Sequence, residues 1–186
     1  VKLLLHICCG PCSLSVIERL KREGFALSGF FYNPNIHPEA EYNLRLSAAK
    51  AVAEKEGVSL IAAIYDPESW KEAIRGHESE EEGGRRCAIC IEKRLKKTAQ
   101  YCVESGFSIF ATTLSVSPHK SAQVINTIGT DVAKRFKIAF YSADFKKDNG
   151  FAISCRKAKE LGLYRQRYCG CRYSQPSASA KIYSNE

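Results

Sequence analysis

The chain carries nine cysteines, and seven of them stand in three tight groups. The first group is His6-Ile7-Cys8-Cys9-Gly10-Pro11-Cys12-Ser13, where an apolar run gives way to an amphipathic one. Helix N-termini stabilise thiolate, and thiolate is the form that binds soft metals or attacks disulfides. The second group, Cys87-Ala88-Ile89-Cys90, opens a helical pattern and puts both sulfurs on one face, about one turn apart. Alone, that spacing serves zinc, an iron–sulfur cluster or a redox dithiol. Joined to Cys8 and Cys9 it makes a four-thiolate set, the number that one cubane cluster takes. The third group is Cys169-Gly170-Cys171. A bridge across one glycine closes a small strained ring, and strained, exposed disulfides are labile or catalytic. A second ligand pair competes with that reading. Soft donors favour iron–sulfur or zinc over magnesium or calcium, and the residues alone do not choose between the first two. Cys12 is left over from this pairing. Cys102 falls in step with Ile91, Leu95 and Ala99 and reads as core. Cys155 reads as structural.

These groups need elements to hold them. A buried strand is predicted over 2–7, then a helix over 13–23 with Ser13 as N-cap and Gly24 just past its end. A second strand over 26–32 is broken by Asn33-Pro34-Asn35. A helix over 39–56 stops at Gly57, and a third strand covers 59–64. After a polar segment, Glu78-Ser79-Glu80-Glu81-Glu82-Gly83-Gly84-Arg85-Arg86, a helix runs from Cys87 to Glu104. Strands over 108–112 and 138–141 enclose a helix over 121–135, and a short helix over 154–161 precedes a Cys-rich tail. Strands alternating with helices imply an α/β domain, a parallel sheet with right-handed crossovers. In such sheets ligands gather beyond the carboxyl ends of the strands, which is where the first cysteine group falls. The 186 residues show no internal repeat and read as one metalloenzyme domain, its tail over 163–186 packing over the site.

The charge is divided. Residues 1–82 carry 9 basic and 13 acidic side chains, whereas residues 83–186 carry 19 and 7, a net of +12. A basic half suggests a polyanion, most often nucleic acid; a surface merely rich in Lys and Arg is the competing reading. A hydrophobic fraction of 45% excludes wholesale disorder. No apolar run approaches the roughly 20 residues of a membrane span, and no export signal is read at the start. Together with reduced thiols these point to the cytoplasm.

The sequence resembles the epoxyqueuosine reductases of the QueH type over nearly its whole length. The resemblance rests on ordered blocks: Leu4-Leu5-His6-Ile7-Cys8-Cys9-Gly10-Pro11-Cys12-Ser13, Asn33-Pro34-Asn35-Ile36-His37-Pro38 with Glu41-Tyr42, and Gly83-Gly84-Arg85-Arg86-Cys87-Ala88-Ile89-Cys90. It continues through Thr112-Thr113-Leu114-Ser115-Val116-Ser117-Pro118-His119-Lys120, Asp144-Phe145-Lys146-Lys147 and Tyr164-Arg165-Gln166-Arg167-Tyr168-Cys169-Gly170-Cys171. It implies a cobalamin-independent oxidoreductase that removes the epoxide oxygen of epoxyqueuosine in tRNA, the last step of queuosine formation. It implies a [4Fe–4S] cluster on Cys8, Cys9, Cys87 and Cys90, a redox-active pair at Cys169 and Cys171, and an additional iron for which Cys12 is the candidate. Flavin involvement and the electron donor are not decided by these residues. Turning an epoxide into an alkene takes two electrons and two protons and releases the oxygen. His6 and Asp144, with His37, His119 and Tyr42, are the candidate proton donors. Arg85, Arg86, His119, Lys120, Lys146, Lys147, Arg165, Arg167 and Arg172 are candidates for phosphates of the anticodon stem-loop, and Tyr164, Tyr168 and Tyr173 for base stacking.

Two rival functions fit parts of the pattern. The first cysteine group occupies the place where nucleotide-binding, PP-loop-like ATP-pyrophosphatase domains carry a Ser-Gly-Gly phosphate loop, so an ATP-dependent sulfur-transfer enzyme acting on tRNA is one. The bulky Cys8-Cys9 pair argues against a backbone phosphate cradle. A non-catalytic zinc-binding RNA module is the other.

Overall fold

A computed structural model describes residues 1–174; the end of the expected tail, residues 175–186, lies outside the described residues. Five strands, β1 (Lys2–His6), β2 (Ala26–Phe31), β3 (Ser59–Ala62), β4 (Ile109–Thr112) and β5 (Ala139–Phe140), form one sheet in the order β3-β2-β1-β4-β5. Every pairing is parallel. The helices are α1 (Gly10–Arg22), α2 (Glu39–Lys55), α3 (Pro67–Ala73), α4 (Arg85–Glu104), α5 (Ala122–Phe136) and α6 (Gly150–Glu160).

The period of two along a strand divides β1 between two cores. Leu3 and Leu5 face Val16, Ile17 and Leu20 of α1, Val52 of α2 and Ala158 of α6. Leu4 faces the other way, onto Leu95 and Cys102 of α4 and Ile125 and Val132 of α5. Burial on both faces is why β1 reads as an unbroken apolar run. Cys102 is fully buried, as its helical phase predicted. From β1 the chain goes to β2 and β3 on one side and later to β4 and β5 on the other. The crevice between the ends of β1 and β4, where His6 pairs with Thr112, is therefore a topological switch point.

Three elements differ from the sequence reading. Helix α1 begins at Gly10, with Cys9 as N-cap and Pro11 in the first turn, where a missing N–H costs nothing. Ser13 is inside the helix, its hydroxyl donating to the Gly10 carbonyl at 2.6 Å. Gly10 is required at this position because a Cβ there would lie 2.5 Å from the Ala48 carbonyl oxygen of α2. Helix α3 was not expected, although Asp66 caps it by accepting from the Ser69 N–H at 3.1 Å. Its Trp70 and Ile74 pack with Cys90 and Cys171. Helix α6 begins at Gly150, so Cys155 lies in its middle. No helix among the described residues is long and apolar enough to cross a membrane.

Candidate metal centre

The turn after β1 is pinned to β4 through Thr113. The Cys8 N–H donates to Thr113 Oγ1 at 3.0 Å, and that hydroxyl donates to Cys8 Sγ at 3.2 Å. With α1 starting at Gly10, Cys12 is brought back over the same turn. The sulfurs of Cys8, Cys9 and Cys12 all lie within 4.8 Å of one another, and those of Cys8 and Cys9 are 3.9 Å apart. Gln166 reaches in from the tail, its Nε2 donating to Cys9 Sγ at 3.0 Å and lying 3.8 Å from Cys12 Sγ. Hydrogen bonds shared with Cys12 and Cys9 hold Cys8 well below the ordinary thiol range, helped by the Arg94 charge and Thr113. The same sharing, with burial, pushes Cys12 up. Against the favourable bond from Cys12, the Cys8 thiolate and burial push Cys9 up to about 12.

That donor set fits a soft metal. Thiolates are the ligands of tetrahedral zinc sites and of iron–sulfur clusters, in which each of four irons takes one. The sequence joined Cys8 and Cys9 to Cys87 and Cys90 and left Cys12 aside. In the structure Cys12 joins Cys8 and Cys9, and Cys87 and Cys90 stand outside that triad.

The two thiol groups border adjoining cavities. One of about 330 Å³ is lined by Cys8, Cys12 and Gln166, and a smaller one of about 90 Å³ by Cys87, Cys90 and Cys171. Arg94, Lys120 and Cys169 line both. Burial pushes the Cys90 thiol up to about 11. The Gly83 N–H donates to Cys87 Sγ at 3.3 Å, and Lys120 Nζ lies 3.4 Å from Cys169 Sγ.

Residues 164–171 are held over the larger cavity by Arg45, which the sequence reading had not singled out. Arg45 is buried; its Nη1 and Nη2 donate to the carbonyls of Cys169 and Tyr168, both at 3.0 Å. Its Nε pairs with Glu41 Oε1 at 2.7 Å, and the Tyr164 hydroxyl donates to the other Glu41 oxygen. The His37 N–H donates to the Gly170 carbonyl at 2.7 Å, and the Tyr168 hydroxyl to the His37 carbonyl. Gly170 has φ of 111°, which only glycine adopts easily.

His6 and Asp144, expected as proton donors, are placed otherwise. His6 is fully buried, with Nε2 on the Tyr32 carbonyl at 3.2 Å and Nδ1 on the Thr112 hydroxyl at 2.8 Å. Burial, then the Arg94 charge, push it down to about 3, so it is a neutral tie between β1 and its two neighbours. Asp144 pairs with Lys146 Nζ at 3.2 Å. Against a desolvation cost, the Lys146 N–H and ammonium hold its carboxyl below the usual range. Neither lines the two cavities.

The basic residues divide in the same way. Lys146 Nζ donates to the carbonyls of Ser115 and Lys120, each at 3.1 Å, and Arg86 is buried with Nη1 on the Glu78 carbonyl at 2.7 Å. These are internal ties. Arg165, Arg167 and His119 are exposed and line the mouth of the larger cavity, while Arg85, Lys147 and Arg172 are exposed elsewhere. Of the tyrosines expected to stack on bases, Tyr164 and Tyr168 brace the tail, the Tyr168 ring lying 5.2 Å below Arg45. Tyr173 is exposed, with Arg86 over its ring at 5.0 Å.

A parallel α/β sheet bearing a thiol-lined, cation-rimmed crevice at its switch point defines a cysteine-bearing variant of the PP-loop-like fold. Its architecture is similar to a protein of Methanocaldococcus jannaschii described as a predicted subunit of tRNA methyltransferase, with a TM-score of 0.55 over 88% of this chain and 89% of that one at 16% identity. It is also similar to the U34-tRNA thiolase NcsA of Methanococcus maripaludis, solved with its [4Fe–4S] cluster, with a TM-score of 0.58 over 95% of this chain and 62% of that one at 16% identity. The family model described as epoxyqueuosine reductase QueH matches residues 3–177. Relatives of that name are 44% identical in Streptococcus pyogenes, covering 92% of this chain and 69% of the relative, and 40% identical in Acinetobacter baylyi, covering 93% and 80%. Another, in Dehalococcoides mccartyi, is 37% identical over 94% of this chain and 92% of its own. The chain belongs to the epoxyqueuosine reductase QueH family, a family of oxidoreductases.

Proposed function

We propose that the chain reduces epoxyqueuosine in the anticodon loop of tRNA to queuosine, in the cytoplasm. Cys8, Cys9, Cys87 and Cys90 would hold a [4Fe–4S] cluster, Cys12 would serve an additional iron, and Cys169 and Cys171 would cycle between dithiol and disulfide. The observation that carries this reading is the Cys8-Cys9-Cys12 triad, of which Cys8 and Cys12 line a cavity that Cys169 also lines. The [4Fe–4S] cluster named with NcsA, on a similar fold, supports the choice of iron–sulfur over zinc. When bound, such a cluster supplies electrons one at a time, and an iron with an open position polarises an epoxide oxygen.

The protein's own groups have separate tasks in this reading. Arg165, Arg167 and His119 at the cavity mouth receive phosphates flanking the reacting nucleotide, since proteins read single-stranded loop bases by splaying them out. Gln166 holds the Cys9 sulfur by its N–H and carries an Oε1 that is buried without a partner. Lys120 replaces His6 and Asp144 as the candidate proton carrier: against the cost of its burial, the sulfurs of Cys169 and Cys8 keep its ammonium charged. An ATP-dependent sulfur-transfer role is not favoured, because the Cys8 N–H at the head of the turn already donates to Thr113.

The test is protein prepared without air, with serine at each of Cys8, Cys9, Cys87 and Cys90 in turn. Iron, sulfide, the visible spectrum and turnover on an epoxyqueuosine-bearing stem-loop are measured. Each variant should lose most of its iron and all turnover, whereas the Cys169→Ser, Cys171→Ser double variant should keep its iron and lose turnover. Full iron and sulfide in two or more of the four single variants would overturn the ligand set.

A further inference from the structure

Arg94 is a buried charge that makes no ion pair among the described residues; Glu82, which lines the same two cavities, is exposed. It is 3% exposed, its Nη2 donates to the neutral Asn33 Oδ1 at 2.5 Å, and its Nε has no partner among the described residues. An ion taken out of water needs a counter-charge, and a neutral amide is not one. Its position says where that counter-charge would come from. Arg94 follows Cys90 by one helical turn and Cys87 by two, so all three share one face of α4. It lines both cavities, beside Cys8 in one and Cys90 in the other. Asn33, which receives it, donates from Nδ2 to the Ile7 carbonyl at 2.9 Å, the peptide that leads into Cys8. Two linked side chains therefore tie the helix bearing Cys87 and Cys90 to the turn bearing Cys8 and Cys9.

We infer that Arg94 is a positioning residue: its guanidinium supplies the counter-charge for the thiolates of the centre and so raises the centre's reduction potential. This rests on the iron–sulfur reading above. A thiolate-bound centre becomes more negative when it accepts an electron, so a fixed neighbouring cation stabilises the reduced form more than the oxidised one. Arginine stays charged throughout the working pH range, so the bias is constant. Lys120, the other cation on the shared wall, contacts Cys169 instead.

The experiment uses the iron-loaded protein, titrated with dithionite without air and followed by EPR. At a fixed potential the reduced-to-oxidised ratio of Arg94→Gln should fall about tenfold, a midpoint drop of about 59 mV for one electron. Arg94→Lys should stay within about threefold of the parent protein. An unchanged midpoint in Arg94→Gln overturns the inference, and so does an equal drop in Arg94→Lys, because charge would then not be the cause. If Arg94→Gln fails to retain iron, the lysine variant decides: retention supports the charge requirement, and loss in both overturns it. A parent protein that never holds iron and sulfide would overturn the proposed function instead.

Discussion

Removal of Arg45 should be the most destabilising single change in the tail anchor, and its size can be worked from the bonds it makes. The Arg45 and Glu41 side chains are 4% and 9% exposed, paired at 2.7 Å. Breaking a buried pair by deleting one partner costs about 3–5 kcal/mol, because the remaining charge is left without compensation. The carbonyls of Tyr168 and Cys169 also lose their donors, but water can reach those half-buried peptides and replace them. The expected cost of Arg45→Ala therefore stays at about 3–5 kcal/mol. For a domain of this size that lowers the melting temperature by about 6–20 °C at roughly 2–4 °C per kcal/mol. Urea denaturation with an unchanged slope measures the total. Amide exchange at residues 168–171 measures the local part, which should rise even where the protein remains folded. Arg45→Lys keeps the charge and loses the fork, and should lie between. A loss below about 1 kcal/mol in Arg45→Ala would refute the reasoning, since that is the range of an exposed pair.

Gly10→Ala places a methyl 2.5 Å from the Ala48 carbonyl oxygen, so α1 must move off α2; the expected cost is about 1–3 kcal/mol, read from the melting curve, together with reduced iron loading of the Cys8 turn. Affinity for an anticodon stem-loop should fall steeply with salt. Arg165→Ala with Arg167→Ala should flatten the log–log slope by about 0.7 for each phosphate no longer neutralised, whereas Lys146→Ala should leave the slope unchanged because its ammonium is held by Ser115, Lys120 and Asp144.

Local signals in the chain disclosed most of the scaffold. Strand β1 is apolar because it is buried on both faces, and Cys102 is core because its helical phase matches Leu95 and Ala99. Ser121 caps α5 as its residue type suggests, accepting from the Val124 N–H at 3.3 Å. Where a local rule failed, another local bond had won. Ser13 looks like a cap, but its hydroxyl prefers the Gly10 carbonyl within the same turn, and Pro11 starts the helix earlier.

The residues that escaped notice are those whose meaning lies in distant partners. Arg45 acts on a carbonyl 124 residues away, Arg94 on an amide 61 away, and Gln166 on a sulfur 157 away. No periodicity encodes such pairs. His6 and Lys146 show the reverse error, since a titratable or basic side chain in a conspicuous motif invites a chemical role until its burial and partners are known. The division has a physical origin. Thiols can be grouped by the chain itself, because a turn and a helix start bring Cys8, Cys9 and Cys12 together. The guanidinium that lines their cavity is not local to that turn: Arg94 arrives on α4, on the same face as the second thiol pair.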